Sequence, residues 1–137
     1  MTNRAPRPLC RVFALLAPFL VLAGCNKPAT VESFTPAGDV AKDALTAGLT
    51  AWQNGQPKPG FIENTKPAVR VIDRAWEAGT KLKSFEIGPA AEGDSPRKFP
   101  VKLHFEGAAA PEEITFYVVG KDPLLVMREQ DYRNSEM

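Results

Sequence analysis

Between residues 36 and 54 the apolar positions Val40, Ala41, Ala44, Leu45, Gly48, Leu49 and Trp52 recur at intervals of three and four. That spacing gathers them on one face of an amphipathic helix, because the helical pitch brings positions i, i+3, i+4 and i+7 together. Thr35-Pro36 or Asp39 supplies a start and Asn54-Gly55 a stop. Gln56-Pro57-Lys58-Pro59-Gly60 breaks the pattern, and beyond it the spacing turns from helical to alternating.

The alternating part predicts strands. Val69 to Asp73 is a short apolar run; Arg74 to Thr80 contains Gly79 as a turn signal; Leu82, Phe85 and Ile87 mark a second run, so these two are expected to form a hairpin. Pro89 to Arg97 is rich in Gly, Pro, Asp and Ser and reads as a loop. Phe99, Val101, Leu103 and Phe105 then alternate with Pro100, Lys102, His104 and Glu106, the clearest half-buried strand in the chain. After a turn over residues 107–111, Ile114, Phe116 and Val118 alternate again, and Lys121-Asp122-Pro123 leads into Leu124 to Arg128. One helix followed by four to five antiparallel strands buries the apolar face of the helix on one face of the sheet, a two-layer α+β domain. Over Pro36 to Arg128 this order resembles the cystatin-like and NTF2-like folds, in which a curved sheet wraps a helix. The resemblance is one of topology and rests on no motif.

The N-terminus has a different pattern. Residues 1–11 carry Arg4, Arg7 and Arg11 and no acid, and Val12 to Ala23 is an apolar run interrupted by Pro18. Basic and then apolar segments followed by small residues are the layout of a secretory signal peptide. The apolar run is about a dozen residues long, short of the ~20 that a helix needs to cross a bilayer core. Leu22-Ala23-Gly24-Cys25 follows it and resembles the lipobox of bacterial lipoproteins at all four positions. The resemblance implies that Cys25 receives a diacylglyceryl thioether, that a lipoprotein signal peptidase recognises Leu22, Ala23 and Gly24 and cuts before Cys25, and that the new amine is often acylated as well. Small side chains at Ala23 and Gly24 let an extended backbone enter a protease site at the membrane surface. Residues 1–24 are thus expected to be a removed signal, 25–35 a lipidated tether containing Pro28, and 36–137 a single α+β domain. The residue after the cysteine is Asn26, not the Asp associated with inner-membrane retention in some bacteria, which favours the periplasmic side of the outer membrane.

Composition fits one ordinary globular domain plus a leader: 137 residues, 44% hydrophobic and 24% charged. The net charge of +1 changes once the leader is set aside, because the 17 Lys and Arg less those three arginines leave 14 against 16 Asp and Glu, a balance of −2. A slightly acidic domain argues against nucleic acid, whose binding depends on clustered cations. With Cys10 in the leader and Cys25 acylated, the mature domain is expected to have no disulfide.

No side-chain pattern names a reaction. His104, the one histidine, is a natural acid or base near neutral pH, but alternation aims it away from Leu103 and Phe105, as a solvated strand residue. A catalytic role would require it to share a cavity with an acid such as Asp73. Trp52 and Trp76 could line a ligand cavity, yet their positions on the helix stripe and in the turn favour core packing. Asp73, Glu77, Glu86, Glu92 and Asp94 lack the oxygen-ligand spacing of a calcium loop and read as solvated acids. Asp73-x-x-Trp76-x-x-Gly79-x-x-Leu82 resembles a pattern in small bacterial lipoproteins and exported proteins to which no activity attaches. No phosphate loop, Cys/His metal pattern or nucleophile elbow occurs. The expectation is a non-enzymatic envelope lipoprotein with no cofactor or metal, bound to the lipid bilayer through Cys25 and to an envelope protein partner; the alternative is a small NTF2-like cavity enzyme or ligand carrier.

Overall fold

The computed structural model describes residues 34–91 and 96–137. The expected signal peptide, the lipobox-like Leu22-Ala23-Gly24-Cys25 and most of the expected tether, together with Glu92 and Asp94, lie outside the described residues. In chain order the elements are α1 (Gly38–Gln53), β1 (Phe61–Ile62), β2 (Val69–Ile72), α2 (Arg74–Glu77), β3 (Leu82–Ile87), β4 (Arg97–Phe105), β5 (Glu112–Gly120), β6 (Leu124–Arg128) and α3 (Glu129–Ser135). The strands form one mixed six-stranded sheet ordered β1-β2-β6-β5-β4-β3.

The helical stripe behaves as its spacing predicts. Ala41, Ala44, Leu45, Gly48, Leu49 and Trp52 are buried, while Val40 at the stripe's edge remains 36% exposed. The N-cap is Ala37, without a side-chain cap, and Asp39 sits in the first turn, where its Oδ1 accepts from Val40 N at 2.9 Å. Asn54 is the C-cap, followed by Gly55 at φ 92°, the left-handed step that ends many helices. Gly48 marks where α1 lies closest to the sheet, since a Cβ there would come within 2.7 Å of Val71 Cγ2 on β2.

Strand alternation divides the sheet into two faces. Phe99, Val101 and Leu103 of β4, Phe116 and Val118 of β5, Leu124 and Val126 of β6, and Val69 and Val71 of β2 are all buried in the core beneath α1. Burial of this apolar area supplies the main favourable term, at ~25 cal/mol per Å². The opposite face carries Tyr117 and Met127 side by side in register, and α3 covers them by stacking Tyr132 on Tyr117, ring centroids 4.5 Å apart.

Three sequence expectations need correction. The sheet has six strands, not four to five, and is mixed, because β2 runs parallel to β6. Two further helices, α2 and α3, accompany α1. β2 and β3 form no hairpin: β2 pairs with β1 and β6, and β3 pairs with β4 at the far edge of the sheet. The physical reason lies in Asp73, which caps α2 by accepting a hydrogen bond from Trp76 N at 3.0 Å. The intervening segment therefore coils into a helical turn and carries the chain across the end of the sheet.

Candidate functional site

The Asp73-x-x-Trp76-x-x-Gly79-x-x-Leu82 pattern is a folding unit in which each named residue has a mechanical role. Asp73 caps α2, Trp76 drops into the core at 1% exposure, Gly79 turns the chain at φ 92°, and Leu82 is buried where β3 begins. Trp76 stacks on Trp52 of α1 with centroids 5.2 Å apart and planes 6° from parallel. Phe105 meets Trp52 at 5.6 Å. Each indole N–H donates to a backbone carbonyl at 2.8 Å, Trp52 to Thr80 and Trp76 to Gln56. Both tryptophans are thus core residues with their polar handles satisfied.

A cleft of ≈ 490 Å³ opens beside this pair, bordered by Gln53, Gln56, Thr80, Lys81 and Glu106 as well as the two indoles. Stacking occupies the facing surfaces of the indoles, so the cleft meets a polar rim instead of an open aromatic face. Such a rim can hydrogen-bond a small polar molecule.

Asp73 corrects another expectation, for it is not a solvated acid. It is 1% exposed, and its Oδ2 accepts from Arg128 Nε at 2.6 Å. The phase of the strands places it there: Val69, Val71 and Asp73 share the inward side of the β2 path, and Leu124, Val126 and Arg128 that of β6. The guanidinium is only partly spent, since Nη2 is buried without a hydrogen-bond partner among the described residues. Sequence reasoning missed Arg128 as a partner, although two opposite charges at inward positions of two strands was the signal that could have found it.

His104 and Asp73 do not meet. His104 lies on the outward side of β4 opposite Ser84 of β3, whereas Asp73 faces the core beyond β2, with β6 and β5 between those strands. Glu77 and Glu86 are exposed, as expected of solvated acids, and Glu86 pairs loosely with Lys102 at 4.0 Å. No group of three or more His, Cys, Asp or Glu able to hold a metal occurs among the described residues. Burial, and after it the hydrogen bond and charge of Glu136, push the Tyr132 phenol above its ordinary range. No helix among the described residues is long and apolar enough to cross a membrane.

The outward half-face at β1, β2 and β6 is the other surface of note. Phe61 is 61% and Ile72 38% exposed, and the Arg70 guanidinium sits 5.6 Å from the centre of the Phe61 ring. Compared with known proteins, the chain matches no protein-family model, no curated protein and no solved structure.

Proposed function

We propose that this chain is an envelope lipoprotein held on a bilayer through acylated Cys25, with a non-enzymatic binding or structural domain of cystatin-like or NTF2-like type. The observation that carries the reading is Leu22-Ala23-Gly24-Cys25 directly after a basic and apolar leader. Two or three acyl chains anchor stably where one binds only reversibly, at ~0.8 kcal/mol per buried methylene. Asn26 favours the periplasmic side of the outer membrane, and an envelope protein is the partner proposed for the domain. Among the described residues His104 and the buried Asp73 lie on opposite faces of the sheet, which is why the reading assigns them no joint acid/base role. In fractionated cells the wild-type protein is expected in the membrane pellet and Cys25→Ser in the soluble fraction or as uncut precursor; a wild type that stays soluble would end the proposal.

A second reading, a carrier of small polar ligands, is favoured by the ≈ 490 Å³ cleft beside Trp52 and Trp76. A ligand there would alter indole fluorescence. A screen of small polar metabolites that leaves the emission unchanged at millimolar concentration removes this reading.

A further inference from the structure

The C-terminal helix α3 is the most lightly held element of the domain. It has seven residues, none of them buried, and its N-cap Arg128 supplies no side-chain cap. A helix that short has little stability of its own in water, so it depends on its docking to the sheet. Tyr132 stacks on Tyr117 of β5 at 4.5 Å. Asp131, with a side chain 8% exposed, pairs with Arg74 of α2 at 3.0 Å, but that arginine is itself 70% exposed. The Tyr117 hydroxyl reaches Glu129 Oε1 at 3.5 Å, a long hydrogen bond, and the same oxygen accepts from Arg133 within α3. Beside Tyr117 lies Met127, which the register places on the outward face between Ile72 of β2 and Tyr117 of β5. Ile72 is 38% exposed and Met127 only 4%; α3, packed on β5 and β6, supplies the cover that Ile72 lacks. Beyond the expected leader the chain has two methionines, Met127 and the fully exposed Met137.

We propose that α3 is a gate over Met127 that opens while the rest of the domain stays folded, and that Met127 is an oxidation site whose modification by a peroxide holds the gate open. Segments with few buried contacts open locally at a smaller free-energy cost than global unfolding. In the open state the Met127 thioether meets solvent. Its sulfur attacks one oxygen of hydrogen peroxide, an S–O bond forms as the O–O bond breaks, and the second oxygen leaves as water. Sulfur loses two electrons and the peroxide gains them. The product is a methionine sulfoxide, a polar and chiral group where an apolar side chain packed before. Closing α3 over it would strip water from the new dipole, so the closed state loses stability and Tyr117 stays uncovered with it. Neither step depends on the anchoring at Cys25.

The test treats the purified protein with dilute hydrogen peroxide and follows sulfoxide at each methionine by peptide mass spectrometry, with Met137 as the exposed reference in the same chain. Met127 is expected to oxidise several-fold more slowly than Met137. Tyr132→Ala, which removes the stack, should raise the Met127 rate several-fold and leave Met137 unchanged. Arg74→Gln, which removes the ion pair at an exposed side chain, serves for the same reading if the Tyr132 variant does not fold. Hydrogen exchange gives the second readout: once Met127 is oxidised, the amides of α3 should lose protection several-fold while those of β4 and β5 keep theirs. Met127→Leu, which keeps the apolar volume without the sulfur, should retain α3 protection in peroxide. Oxidation of Met127 as fast as Met137, or at a rate that both variants leave unchanged, overturns the gate. Full protection of α3 after oxidation, or its loss in Met127→Leu as well, overturns the sulfoxide as the group that holds it open. Loss of protection spread over β4 and β5 identifies global unfolding and overturns the proposal too.

Discussion

Asp73 and Arg128 are the most consequential pair at the scale of single residues. Their contact links the end of β2 to the end of β6, and the same carboxylate caps α2. Removing one member of a buried pair leaves the other charge uncompensated, at a cost of about 3–5 kcal/mol. Arg128→Met is therefore expected to lower the unfolding free energy by that amount in urea denaturation, and Asp73→Asn, which can still accept from Trp76 N, by less than Asp73→Ala. Similar losses for Asn and Ala would show that the cap contributes nothing. The pair was only half legible in the sequence. Alternation placed Val69 and Val71 inward, but an acid two positions further reads as a strand end in water until its partner, 55 residues away, is known. The tryptophans were more legible, because Trp52 lies on a helical stripe whose burial follows from spacing alone.

At the scale of elements, the helix and the long strands emerged from local periodicity and the pairing did not. A hairpin between β2 and β3 is the short-range expectation, and a single helical turn capped by Asp73 defeats it. The parallel partner β6 lies more than fifty residues along the chain, where no local pattern points to it. Nor did alternation reveal α3, whose charged sequence is held to the sheet chiefly by Tyr132 on Tyr117. Gly48 is the tightest point between elements. An alanine there gains about 1 kcal/mol of helix propensity but meets the stiff, β-branched Val71, and overpacking costs about 1–3 kcal/mol. Gly48→Ala is expected to lower stability by up to about 2 kcal/mol net. Combined with Val71→Ala it should cost less than the two single changes together, by about 0.5 kcal/mol or more; strict additivity would refute the contact.

At the scale of the whole molecule, the described residues form an α+β domain in which α1 covers one sheet face and α3 part of the other. On the outward side at β1 and β2, Phe61 and Ile72 remain exposed, with Arg70 over the Phe61 ring. His104 and Asp73 share no cavity among the described residues, and the proposed function rests on where the domain is held. That proposal rests on four consecutive residues, Leu22-Ala23-Gly24-Cys25, which a protease and an acyl transferase would read as a linear segment, whereas a binding face exists only after distant strands pair. The most direct measurement is the intact mass of the protein purified from membranes. The proposal predicts a chain beginning at Cys25 and carrying a diacylglyceryl increment, with a further acyl group where the amine is modified, and no increment in Cys25→Ser. A wild-type chain with an unmodified Cys25 would contradict it.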